Sequence, residues 1–265
     1  MTTNDKYIEI FLEPLKKCKD YKPKVGECQN TKGVSLTQFL ELYGSDAFYS
    51  WIGLDSSLMY AAHKAAGGMA SVYRQIGIGC ERLFREIIID TTYYQNRDLA
   101  QWSYEIQTQN GKIKTLSLDG RLELNEIYNV ELQKRLQNWM RTYCSNWSVR
   151  QIPQNGVVFG VRQGYKIKDG KRQNADIDNA AVAYSSGYLP VFAFFSSQID
   201  SNIIRRYNNS RCGVIAGYVS DDPQISLFAF CKTILRYDLA AFFRNNSDKF
   251  KSEIHSILKM LLDAS

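Results

Sequence analysis

The chain is short of the residues that usually announce chemistry. Its 265 residues hold two histidines, His63 and His255. These are too few and too far apart for a zinc site, and neither has a serine or cysteine neighbour arranged as a nucleophile pair, so both read as structural. The six cysteines, Cys18, Cys28, Cys80, Cys144, Cys212 and Cys231, form no CxxC pair. That spacing argues for free thiols in a reducing, cytoplasmic setting and against a disulfide framework or structural zinc. No run approaches the roughly 18 consecutive apolar residues of a membrane span. The most apolar stretch, YLPVFAFF at 188–195, reads instead as a buried strand. A Walker loop is absent, since GGMASVYRQIGIG lacks the Gly-Lys-Ser/Thr ending, and GIG at 77–79 lacks the third glycine of a dinucleotide-binding turn. The opening MTTNDKYIEIFLEPLKKCKDYKPK mixes acids with bases and has no apolar core, so no targeting segment is expected. Internal repeats and low-complexity tracts are also missing.

What is present is ordinary globular material, 45% hydrophobic and 23% charged. Lys plus Arg number 33 against 27 Asp plus Glu, a formal charge of +6 that mildly favours an anionic partner. The length suits one large domain over 1–265, or a main domain with a helical appendage.

The apolar spacing predicts a short helix over 5–18 and another over 35–44, with Ser35 as its cap and Gly44 as its stop. From Leu58 the helical spacing continues but is interrupted by Gly67-Gly68, Gly77 and Gly79, which predicts a loop feeding a helix through CERLFREIIID. The period then changes to two, in QWSYEIQT and IKTLSLDGRLEL, joined by an Asn110-Gly111 turn that signals a hairpin. A helix over NVELQKRLQNWMRTYCSNW, a strand at 156–166, a helix over RQNADIDNAAVAYSS ended by Gly187, and the strand YLPVFAFF follow. A short basic helix, the strand RCGVIAGYV and a helical tail complete the order. This alternation predicts an α/β fold with a mixed central sheet flanked by helices.

Several residues stand out against that frame. Asp119 closes a strand beside Gly120, either as a turn acid or as a hard oxygen ligand for a divalent cation. Glu81 and Glu86 lie on the helix before the hairpin. Glu81 can form an i,i+4 pair with Arg85 or aim at the metal of Asp119. The segment VRQGYKIKDGKRQNAD carries Arg162, Lys166, Lys168, Lys171 and Arg172, interleaved with Gln163, Gln173 and Asn174. Cations neutralise phosphates, whereas Arg, Gln and Asn can also make paired hydrogen bonds to purine edges. Ser196, Ser197 and Gln198 precede a helix bearing Arg205 and Arg206, with Arg211 beyond it, a pattern suited to holding a phosphate at a helix start.

A helix with a glutamate, a hairpin ending in an aspartate, a third strand running into a basic patch, then helix, strand and helix: this order resembles the PD-(D/E)XK nuclease fold, and within it the type II restriction endonucleases. The resemblance covers a core at about residues 70–220, leaving helical elaborations at 1–65 and 223–265 outside it, and implies Mg²⁺-dependent cleavage of double-stranded DNA by a homodimer. It implies that Asp119 is the first metal-binding acid, although Leu118 stands where the family has proline. The acid and lysine of the next strand fall on Gly160 and Arg162. That departure leaves three alternatives: an inactive DNA-binding variant, an acid displaced to the next helix, or a shifted strand alignment. Displacement implies a site of Asp119, Lys166 and one of Asp176, Asp178 or Glu81, with Arg162 behind the lysine. Base reading then falls to Arg172, Gln173 and Asn174, and backbone contacts to Arg205 and Arg206. A repair or recombination nuclease of the same fold is the nearest rival.

Overall fold

The computed structural model describes residues 2–25, 33–107, 110–149, 151–164 and 170–263. Among them the α-helices are α1 (Thr3–Leu12), α2 (Leu36–Gly44), α3 (Ala47–Trp51), α4 (Ser57–Thr92), α5 (Val130–Asn146), α6 (Gly170–Ser185), α7 (Ser201–Asn209), α8 (Leu227–Thr233), α9 (Leu239–Asn245) and α10 (Ser247–Leu262). The strands are β1 (Trp102–Gln107), β2 (Ile113–Leu118), β3 (Gly120–Glu123), β4 (Gly156–Arg162), β5 (Tyr188–Phe194) and β6 (Gly213–Ile215). The chain forms two compact units, Met1–Gly79 with Asn245–Ser265, and Cys80–Arg244.

The first unit is helical. Ser35 caps α2 as its sequence requires, accepting the Gln38 N–H at 3.3 Å while the Gln38 side chain accepts the Ser35 N–H at 2.9 Å. Phe39, from the same helix, is fully buried with Val25, Val34 and Tyr60. The expected break near Gly67-Gly68 does not occur, because α4 runs unbroken for 36 residues. Gly67, Gly68 and Gly79 serve close packing. A Cβ on Gly67 would sit 2.0 Å from the Tyr21 hydroxyl, one on Gly68 2.4 Å from Leu261, and one on Gly79 2.5 Å from the Phe11 carbonyl oxygen. A glycine weakens a helix by about 1 kcal/mol relative to alanine, and at these three positions a Cβ would collide with the packed neighbour.

The second unit is mixed α/β. Strand order in its four-stranded sheet is β3-β4-β5-β6, with β3 antiparallel to β4 and the remaining pairs parallel. β4, up to its terminal Arg162, and β5 are apolar and buried, as parallel strands covered on both faces must be. Phe159 of β4 meets Phe84 of α4 and Phe230 of α8, with ring centroids 5.0 and 5.6 Å away. β1 and β2 form a separate hairpin. Gly111 in its turn has φ +73°, the left-handed conformation that the Asn-Gly signal anticipates. The single strand expected over 113–124 is instead divided at Asp119, between β2 and β3.

The tail is predominantly helical, as expected, in separate pieces. FAFCKTILRYDLAAFFRN is not one helix, for Arg236 at φ +60° separates α8 from α9. Both belong mainly to the α/β unit, tied there by the Arg135 Nε bond to the Ile234 carbonyl at 3.0 Å and the Trp139 Nε1 bond to the Pro223 carbonyl at 2.7 Å. The five described cysteines are free and buried. No helix among the described residues is long and apolar enough to cross a membrane.

Candidate active site

The site is built where β3 and β4 part. Their ladder runs to the Gly120–Phe159 pair, and the Asp119 N–H adds one more bond to the Phe159 carbonyl at 2.7 Å. Beyond it, the Val161 N–H takes Asp119 Oδ2 as acceptor at 2.8 Å. The break between β2 and β3 therefore turns a carboxylate toward the end of β4. Gly120 permits close packing here, since a Cβ on it would lie 3.1 Å from Ile88 and 3.4 Å from Phe84 of α4. From α4, Arg85 Nε donates to the Asp119 carbonyl oxygen at 2.8 Å.

Arg162, the last residue of β4, joins two acids. Its Nη1 donates to Asp119 Oδ2 at 2.9 Å and to the Val161 carbonyl at 2.7 Å, and its Nη2 donates to Asp176 Oδ1 at 2.7 Å. Asp176, on α6, is 2% exposed, and its second oxygen accepts the Tyr207 hydroxyl of α7 at 2.7 Å. Burying these charges is costly unless they pair directly and their remaining lone pairs are satisfied, and Asp176 meets both conditions. Burial works against the Arg162 guanidinium, but Asp176 and Asp119 outweigh it and raise its pKa further. Arg162 Nε is buried with no hydrogen-bond partner among the described residues.

Glu81 completes the cluster. It lies one turn before Arg85 on α4, partly buried, with no hydrogen bond or ion pair to a described residue. Burial, followed by the negative charge of Asp119, pushes its pKa up to about 7, while Arg162, Arg172 and Arg85 pull the other way. The expected Glu81–Arg85 pair is therefore replaced by the Arg85 bond to the Asp119 carbonyl. Glu86 points elsewhere, paired with Arg97.

The other candidates divide sharply. Gly160 is a buried core position: a Cβ there would lie 2.6 Å from the Phe192 ring, so no acidic side chain fits without displacing that ring. Lys166 and Lys168 fall outside the described residues. Asp178 is exposed on α6 and forms no ion pair with Arg162, because two residues along a helix turn a side chain to another face. Lys171 and Arg172 are exposed on the first turn of α6, and Arg205 is exposed on α7. Gln173 is only 5% exposed and accepts from Arg206 Nη1 at 2.8 Å, while Arg206 Nη2 donates to Asn174. Gln173 is thus a packing residue rather than an exposed reader. Ser197 and Gln198 are exposed ahead of α7, whose N-cap is Asp200, with its side chain accepting the Asn202 N–H at 2.8 Å. A carboxylate on that helix start opposes a phosphate, which removes the expected anion site. Reading the sequence missed Arg85 and Tyr207. Tyr207 stands one turn after Ile203, so its spacing marks core and only its hydroxyl hints at a polar partner.

Among the described residues no three His, Cys, Asp or Glu side chains form a group able to hold a metal. Mg²⁺ commonly takes only one or two carboxylates, completing its shell with water and substrate phosphate. Glu81 and Asp119 Oδ1, neither of which accepts a hydrogen bond from a described residue, are hard oxygen donors of that kind, so the residues fit such an ion. A cavity of about 720 Å³ lined by Ile152, Pro153, Ile177, Tyr184 and Arg211 contains none of the candidate catalytic residues. Comparison with protein-family models, curated proteins and solved structures finds no match.

Proposed function

We propose that the chain is a Mg²⁺-dependent endonuclease of double-stranded DNA, resembling a type II restriction endonuclease of the PD-(D/E)XK fold whose second acid is supplied from a helix. The supporting observation is the Asp119–Arg162–Asp176 ion-pair chain, which joins the end of one strand, the end of its neighbour and the next helix through contacts of 2.7–2.9 Å. In this reading Arg162 occupies the family's lysine position, and Asp176, whose two oxygens are taken by Arg162 and Tyr207, holds that arginine in place. Asp119 and Glu81 are the oxygen ligands. Those two carboxylates would hold a Mg²⁺ ion, which would supply Lewis-acid activation of the phosphate and of water.

The protein's own groups then divide the work. Arg162 pairs with Asp119 and Asp176 and holds both in place, and Tyr207 holds the far oxygen of Asp176. Lys171, Arg172 and Arg205 neutralise DNA phosphates, while Arg172 and Asn174, both exposed, meet base edges. In hydrolysis a water oxygen bonds to phosphorus and gives up its proton, one P–O ester bond breaks, and the departing oxygen takes up a proton. A palindromic target calls for two copies of the chain related by a two-fold axis.

One observation favours a second reading. The Arg162 guanidinium already neutralises both acids, as it would in a DNA-binding protein that no longer cuts. Incubating the protein with plasmid DNA and Mg²⁺ and sequencing the ends separates the readings. Discrete ends at one short motif support restriction, cuts confined to branched or damaged DNA support repair, and intact DNA with salt-sensitive binding supports the inactive binder.

A further inference from the structure

We propose that Arg85 is a catalytic residue of this site, gripping the reacting phosphate, and that Arg162 serves only to position the two carboxylates. The inference rests on the nuclease reading above.

Phosphodiester hydrolysis needs a cation for the charge that builds on the phosphate oxygens, and two buried or partly buried arginines reach the Asp119 carboxylate or its backbone. Arg162 is already committed. Its Nη1 serves Asp119 and the Val161 carbonyl, its Nη2 serves Asp176, and its Nε is buried. To reach a phosphate it would have to abandon Asp176, leaving an uncompensated carboxylate that is 2% exposed.

Arg85 is arranged in the opposite way. Its Nε is anchored at 2.8 Å on the carbonyl of Asp119, which fixes the side chain beside the candidate metal ligand. Its Nη1 and Nη2 have no partner among the described residues, and the residue is partly exposed. Glu81, one turn earlier on the same helix, makes no ion pair with it. A guanidinium held at Nε and open at both Nη atoms presents a two-pronged donor that matches two phosphate oxygens. Its place on α4, rather than on a loop, gives the fork a rigid mount.

The test is single-turnover cleavage of plasmid DNA with Mg²⁺ by the full chain, comparing wild type with Arg85→Ala and Arg85→Lys. Loss of one such donor is expected to slow Arg85→Ala by about 100-fold or more. DNA binding without Mg²⁺ should weaken far less than the rate does, and the urea midpoint should fall only slightly with the lost Nε bond. Guanidinium ion, added far below denaturing levels, should restore much of the Arg85→Ala rate and leave wild type unchanged, because it refills the vacated position. Arg85→Lys keeps the charge without the fork and should remain slow. Arg85→Ala cleavage within a few-fold of wild type, or a loss that guanidinium does not restore, overturns the inference alone. A wild-type protein that cuts no DNA overturns the nuclease reading and this inference together.

Discussion

Replacing Glu81 by glutamine should stabilise the protein, and only at high pH. The Glu81 carboxyl titrates at about 7 in the folded chain against an ordinary 4.5, because it is removed from water beside the Asp119 charge. Folding therefore favours its protonated form. Below pH 4.5 it is neutral in both folded and unfolded chains and imposes no penalty. As pH rises from there to about 7 the folded state loses stability, and above that the loss is constant. The shift corresponds to about 3 kcal/mol, trimmed by residual solvent contact to about 1–3 kcal/mol. Glutamine keeps the shape without the charge, so Glu81→Gln should exceed wild type by that amount at pH 8 and match it at pH 4. Urea unfolding followed by tryptophan emission suits the measurement, since Trp102, Trp139 and Trp147 all lie in the α/β unit and only Trp51 lies outside it. At pH 8, Mg²⁺ should raise the wild-type midpoint by mass action and raise that of Glu81→Gln less. Equal stability of the two proteins at pH 8, or a less stable glutamine variant, would show that Glu81 is neither held out of water nor set against the Asp119 charge.

Two other substitutions probe the same site. Arg162→Met strips the counter-charge from buried Asp176 and should cost about 3–5 kcal/mol in urea unfolding at pH 7, with much of the loss recovered in Arg162→Met/Asp176→Asn. Gly160→Ala crowds the Phe192 ring and should cost about 1–3 kcal/mol by the same assay, whereas an unchanged midpoint would mean that the ring yields freely.

The elements that local chemistry controls were legible from the sequence. Ser35 caps its helix, Asn110-Gly111 turns its hairpin, Gly187 at φ +79° ends α6, and YLPVFAFF is a buried strand. Long-range packing was not. The α4 glycines look like breaks until Tyr21, Leu261 and Phe11 are seen against them, and Gly160 looks like a lost acid until Phe192 is seen above it. Asp119 and the basic strand end were visible as candidates, but their partners were ambiguous. Asp176 and Asp178 are equivalent in sequence, and burial against Tyr207 is what separates them. Gln173 read as a donor for DNA because its partner, Arg206, lies 33 residues away.

The most direct measurement is cleavage of supercoiled plasmid DNA with Mg²⁺ by wild type and by Asp119→Asn, with DNA binding followed in parallel. Asparagine keeps the size of the side chain and an acceptor for the Val161 N–H while removing the charge that would bind the ion. The account predicts discrete linear products from wild type, and from Asp119→Asn a largely retained affinity for DNA without cutting. Intact plasmid with wild type, or equal cutting by both proteins, would contradict it.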